Sequence, residues 1–268
     1  MRLRLLLACL LAVPICGATA STLPAVGSAA DGADISWPNC PKGMGIPSRP
    51  TEGKPMPLAG TQFVIIGLTN GPGFTPNPCL ADQVAWTTSR HLWAGAYAIT
   101  TYPTPAQLTQ YGGRGTGAQR LFRTGVAQAQ FNVRGMRRAG LRPPMVWVDV
   151  EPVPVQPWSG NPTFNTAVVE GVLAGYRGAG LKVGLYSYAY GWKQITGGRQ
   201  YPTIATWVPS GSDLRSAALA RCGKASFSGG RVLFGQWTVG DRDHDVTCPG
   251  VTGSAGQSSR MPGLFAST

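Results

Sequence analysis

Only eleven Asp and Glu stand against 23 Lys and Arg in this 268-residue chain, so the places where acids gather carry information. Asp149 and Glu151 sit two apart at the end of the apolar run Met145-Val-Trp-Val148. On a strand, residues two apart face the same side, with Cα atoms about 6.6 Å apart. Carboxyls that close raise one another's pKa, and the protonated member can serve as a general acid. Paired in this way, the two residues have the chemistry of general acid catalysis: one can give a proton while the other stays beside the reacting group. Asp34 lies in a first strand, and Asp241, Asp243 and Asp245 follow the Gln236-Trp237 strand. Ion pairing to the many arginines is the competing reading, and it suits an isolated acid better than it suits the Asp149/Glu151 pair.

Such acids need elements that deliver them to one place. Phe63-Val-Ile-Ile-Gly-Leu68, Ala94 to Ile99, Met145 to Val150, Val183 to Tyr186, Ile204 to Val208 and Val232 to Trp237 read as short buried strands. Between them, Leu80 to Arg90 reads as a helix. Phe122, Val126, Ala129, Val133 and Met136, spaced 4, 3, 4 and 3, mark a second helix, which Gly140 and Pro143-Pro144 end. Val168, Val172 and Tyr176 mark a third, running up to Gly180. This alternation predicts a single α/β domain over 31–268, a (β/α) TIM-like barrel with some helices missing from its C-terminal part. In a parallel barrel the C-terminal ends of the strands converge on one mouth, which would bring Asp34, Asp149, Glu151 and Asp243 together. Flat rings at strand ends could stack on sugars there: Trp37, Trp158, Trp192, Trp207 and Trp237, with rim packing an equal alternative for each. Trp86, Trp93 and Trp147 read as core.

Arg2 and Arg4 before the apolar run Leu5 to Ile15, with Ala18-Thr19-Ala20 after it, predict a secretory signal peptide over 1–20, with cleavage as late as 30 open. The run is too short to span a bilayer, and a secreted, extracellular product is expected. Cys40, Cys79, Cys222 and Cys248 remain after cleavage, an even number suited to two disulfides. Of the three pairings, Cys40 with Cys79 and Cys222 with Cys248 is favoured, since each pair lies within one end of the chain.

Other chemistries fail on particular residues. Asp241-x-Asp243-x-Asp245 begins like a calcium loop, but Val246 replaces the required Gly and Thr252 the bidentate Glu. His91 and His244 are too few for a typical catalytic zinc site, and Gly112 to Gly117 lacks the P-loop Lys, so no metal or cofactor is expected. The net charge of +12 is spread over helices without a nucleic-acid motif. For an exported monomer, an anionic cell-wall polymer is the better counterion.

At these same residues the chain resembles a known family. Asp34-Ile-Ser36, Trp147-Val-Asp-Val-Glu151, Gly184-Leu-Tyr-Ser187, Thr206-Trp-Val208 and Gly235-Gln-Trp237 with Asp243 following resemble, in order, landmarks of the glycoside hydrolase family 25 lysozymes. Asp34-Ile-Ser-Trp-Pro-Asn-Cys40, Asn77-Pro-Cys-Leu80 and Asp243-His-Asp-Val-Thr-Cys248 are also similar to secreted actinobacterial proteins with a glycoside-hydrolase-like barrel. The resemblance implies that Glu151 is the proton donor, that Asp149 assists at the reacting sugar and that Asp34 and Asp243 line the site. It adds Tyr186, Gln236 and Asp245 to Trp37, Trp207 and Trp237 as expected substrate contacts. Trp237 departs from the lysozymes, which have Tyr there. The implied activity is muramidase-like cleavage of peptidoglycan or a related polysaccharide. A barrel that binds such a glycan without cutting it is the alternative.

Overall fold

Period-two alternation in the strands sorts side chains between two layers. Phe63 and Ile65 belong to one buried cluster, while Val64 and Ile66 belong to another; Met145 and Trp147 separate from Val146 and Val148 in the same way. The first set fills the inside of a barrel and the second packs outward against helices.

The computed structural model describes residues 28–253 and 259–268; the expected signal segment, 1–20, lies outside them. In chain order the elements are β1 (Asp31–Ile35), a small hairpin of β2 (Gly45–Ile46) and β3 (Arg49–Pro50), β4 (Phe63–Gly67), α1 (Leu80–Thr88), β5 (Trp93–Ile99), α2 (Pro105–Tyr111) and α3 (Gly117–Arg138). Then follow β6 (Met145–Asp149), α4 (Pro162–Gly178), β7 (Lys182–Tyr186), α5 (Ala189–Thr196), β8 (Ala205–Pro209), α6 (Arg215–Leu219), β9 (Val232–Val239) and β10 (Arg242–Thr247). Among the described residues eight strands close a barrel in the order β1-β10-β9-β8-β7-β6-β5-β4. The expected thinning of helices is present: α6 has five residues, and β9 turns directly into β10.

Three expectations change. The barrel is not wholly parallel, because β10 runs antiparallel to both β1 and β9. The Asp241–Asp245 stretch is therefore largely strand rather than a loop after one, and its alternation places Asp243 and Asp245 on one face. The link from β1 to β4 carries the β2–β3 hairpin where an α-helix would stand, and an extra helix, α2, precedes α3.

Local chemistry accounts for the boundaries. Thr116 and Gln119 cap α3 reciprocally, each side chain accepting from the other's backbone N–H, so the Gly-rich 112–117 segment is the turn that starts this helix. Asn161 and Pro162 start α4. Inside the barrel, Gly184 leaves room for Trp147: a Cβ there would lie 2.3 Å from the indole. The lower end is plugged by rings, with Phe63 5.5 Å and Trp147 5.3 Å from Phe234, and Phe265 against both Phe63 and Phe234. Cys40–Cys79 and Cys222–Cys248 are disulfides. No described helix is long and apolar enough to cross a membrane.

Candidate active site

The inward face that carries Met145 and Trp147 carries Asp149 as its next member, at the C-terminal end of β6, and Glu151 follows two residues on. β1 repeats the arrangement: Gly32 faces Phe63 within the barrel and Asp34 lies one step higher. In the antiparallel β1–β10 pair Asp34 stands directly opposite Asp243. The result is a cleft of about 890 Å³ at the barrel mouth, lined by Asp34, Asp149, Glu151 and Asp243 together with Glu52 and Asp213. A chain with a strong excess of cations thus places six of its eleven acids around one cavity.

Side chains of neighbouring strands fix the floor. Tyr186 donates from its hydroxyl to Gln236 Oε1 at 2.6 Å, and Gln236 Nε2 donates to Asp34 Oδ2 at 2.8 Å. This relay orients one oxygen of Asp34. The Tyr186 and Trp207 rings lie 4.4 Å apart, and Tyr97 meets the edge of Trp207. Asp243 accepts from the Thr238 hydroxyl at 2.7 Å. Trp158 donates its indole N–H to the Glu151 carbonyl at 2.8 Å, and the Ser187 hydroxyl donates to the Val150 carbonyl, so the segment carrying Glu151 is held from two sides.

Burial dominates the electrostatics. Asp149 is 3% exposed and its Oδ1 has no hydrogen-bond partner. Burial first, then the charges of Glu151 and Asp34, hold its carboxyl well above the usual range, while Arg49 opposes the shift. Asp34 is raised by burial and by Asp243, against the Gln236 hydrogen bond. Glu151 is pushed up to about 7, by burial and then by Asp243. A carboxyl that keeps its proton to near-neutral pH, beside a buried neighbour and in an open cleft, is equipped for proton donation to a bound ether oxygen.

Of the expected substrate contacts, Trp37, Tyr186, Trp207, Gln236 and Trp237 all line the cleft. Trp237 stacks on His244, with ring centroids 5.1 Å apart. Asp245 does not line it. The residue is fully buried below the floor, where its Oδ1 accepts the Trp207 indole N–H at 2.7 Å. Asp245 therefore supports Trp207 and is out of a ligand's reach. Trp192, expected at a strand end, is 1% exposed on α5 and packs on Phe227 and Tyr201, and Trp158 acts through the Glu151 backbone. Sequence reasoning missed Arg49, Glu52, Tyr97, Tyr188 and Asp213 in the lining. Glu52, Tyr188 and Asp213 come from loops, Arg49 from the two-residue β3 and Tyr97 from β5, and no periodicity or motif singles them out. Among the described residues no group of three or more His, Cys, Asp or Glu is arranged to hold a metal ion.

Comparison with known proteins points the same way. Residues 116–210, which contain Asp149 and Glu151, match the family model of lysozyme-like protein 1. A lysozyme-like protein 2 from Caenorhabditis elegans is 28% identical over 108 residues, 40% of this chain and 34% of that protein. A probable GH family 25 lysozyme 4 from Dictyostelium discoideum is 37% identical over 68 residues, 24% of this chain and 30% of its own length. The chain thus spans about a third of the length of these relatives. In fold it is similar to the muramidase from Trichobolus zukalii, with a TM-score of 0.52 and 18% identity over 89% of this chain and all of the other. The chain is thus similar to lysozyme-like proteins in the segment that carries Asp149 and Glu151, and to a muramidase in the barrel fold around it.

Proposed function

We propose that this chain is a secreted glycosidase that cleaves cell-wall peptidoglycan or a related polysaccharide, with Glu151 as general acid assisted by Asp149. The observation that carries the reading is the gathering of six scarce carboxyls around one open cleft, with Glu151 protonated to about pH 7. Glu151 delivers a proton to the leaving oxygen. Asp34, oriented by the Tyr186–Gln236 relay, and Asp149, buried beside it, face the positive charge that develops at the sugar. Trp37, Tyr186, Trp207, Gln236 and Trp237 hold the glycan. The lysozyme-like central segment supports the choice of glycan, and the two disulfides suit an extracellular setting. Release of reducing ends from purified peptidoglycan by the wild-type protein, and its loss in Glu151→Gln, tests the reading. Binding without release at any pH from 4 to 8 would overturn it.

A further inference from the structure

The cleft has a cation wall that the hydrolytic reading leaves without a task. Arg49 begins β3 in the hairpin between β1 and β4, and its guanidinium lies over the Trp37 ring, 4.6 Å from the centroid. The hairpin is fastened from below by Asn70, which is fully buried. Asn70 Oδ1 accepts the Ile46 N–H at 2.7 Å, and its Nδ2 donates to the Arg49 carbonyl at 3.2 Å. The Cys40–Cys79 disulfide ties the start of this segment to the loop before α1. On the side of Gly71, where φ is +91°, a Cβ would come within 2.4 Å of Arg49 Nη1, so the chain leaves a slot for the guanidinium there.

The slot holds the group without using its donors. Lys54 pairs with Glu52 at 3.4 Å and Arg221 donates to the Ser210 carbonyl at 2.7 Å. The Arg49 guanidinium, half-buried in the same cleft, makes no hydrogen bond and no ion pair with the described residues. Two acids feel its charge without reaching it: Glu52 already pairs with Lys54, and Asp149 is held towards its neutral form by burial. A planar fork of N–H donors, fixed over an aromatic ring and left without an acceptor, matches a planar or tetrahedral oxyanion.

We infer that Arg49 is a specificity-determining residue that binds an anionic group, a carboxylate or a phosphate, carried by the glycan in this cleft. The inference rests on the glycan-cleaving reading and narrows its substrate class to acid-bearing glycans. Proposed binding at Arg49 leaves proton donation to Glu151 and so affects substrate capture.

The test measures equilibrium binding by intrinsic tryptophan fluorescence in a Glu151→Gln background, which keeps glycans intact. Three probes share one backbone: a neutral N-acetylglucosamine oligosaccharide, the same length with free carboxylates, and the same length with a phosphomonoester. At least one anionic probe should bind about tenfold or more tighter than the neutral one, and the preference should shrink as salt rises. Adding Arg49→Gln should remove that preference while leaving neutral affinity within about twofold, and Arg49→Lys should restore part of it. The probe that shows the preference identifies the group. Equal binding of all three probes, a preference that survives Arg49→Gln, or an equal loss for neutral and anionic probes would overturn the role of Arg49 and leave the glycan site standing. If no probe binds, both readings fail.

Discussion

One barrel has two opposite ends. At the lower end inward positions of β4, β6 and β9 carry Phe63, Trp147 and Phe234, with Phe265 sealing them in; at the mouth β1, β6 and β10 carry Asp34, Asp149 and Asp243. The plug converts buried apolar area into stability. The mouth holds carboxyls where their charged forms are disfavoured, and so stores a stability cost in exchange for reactivity. Substitutions at the two ends should therefore act in opposite senses.

The largest effect is expected at the mouth. Glu151→Gln keeps shape and hydrogen bonding but removes the proton, so cleavage of peptidoglycan should fall by about 10²–10⁴, measured as reducing-end release. Folding should be unharmed. At the plug, Phe234→Ala removes a fully buried ring that touches Phe63, Trp147 and Phe265, and should cost about 3–5 kcal/mol in denaturant unfolding. A plug variant that kept full stability, or a mouth variant that lost it, would break the contrast.

pH sharpens the same comparison. Glu151 has a folded pKa of about 7 against 4.5 for the ordinary group, and Asp34 and Asp149 are raised in the same direction. Between those values the folded chain keeps protons that the unfolded chain has released, so stability falls as pH rises from about 4.5 to 7. For Glu151 the fall should amount to roughly 2–3 kcal/mol. Asp149→Asn removes one such cost, so it should raise Tm at pH 7, leave Tm little changed near pH 4, and lower cleavage. Thermal unfolding at the two pH values checks this.

The smallest expected effect lies just outside the cleft. Trp158→Phe keeps most of the ring packing and loses one hydrogen bond to the Glu151 carbonyl, worth about 0.5–1.5 kcal/mol. Cleavage should drop a few-fold with KM nearly unchanged, since the indole holds the acid's backbone and does not line the cleft.

What could be read from the sequence follows from periodicity. Met145, Trp147 and Asp149 share a face because strands alternate, and that alternation by itself carries Asp149 to the mouth. The 4, 3, 4, 3 spacing marks α3 equally well. β10 escaped because its alternating residues, Arg242, Asp243, His244 and Asp245, are polar on both faces, so hydrophobicity offers no signal; only a partner strand on each side reveals that Asp245 is inside. Trp192 misled because an aromatic ring near a strand end can point outward to a helix layer as readily as to the mouth. Arg49 was invisible for a third reason. Its place depends on Asn70 and Gly71, some twenty residues away, and on Trp37 before it, contacts that local pattern does not encode.

The central claim is that Glu151, held protonated to near neutrality among the mouth acids, gives the proton that breaks a glycosidic bond. The pH dependence of kcat/KM for peptidoglycan cleavage tests it most directly. The wild-type profile should bend downward on its alkaline side near pH 7, where Glu151 loses its proton, and Glu151→Gln should lose both that limb and most of the rate. An alkaline limb that persists in Glu151→Gln with the rate intact, or no cleavage by the wild-type protein from pH 4 to 8, would contradict the account.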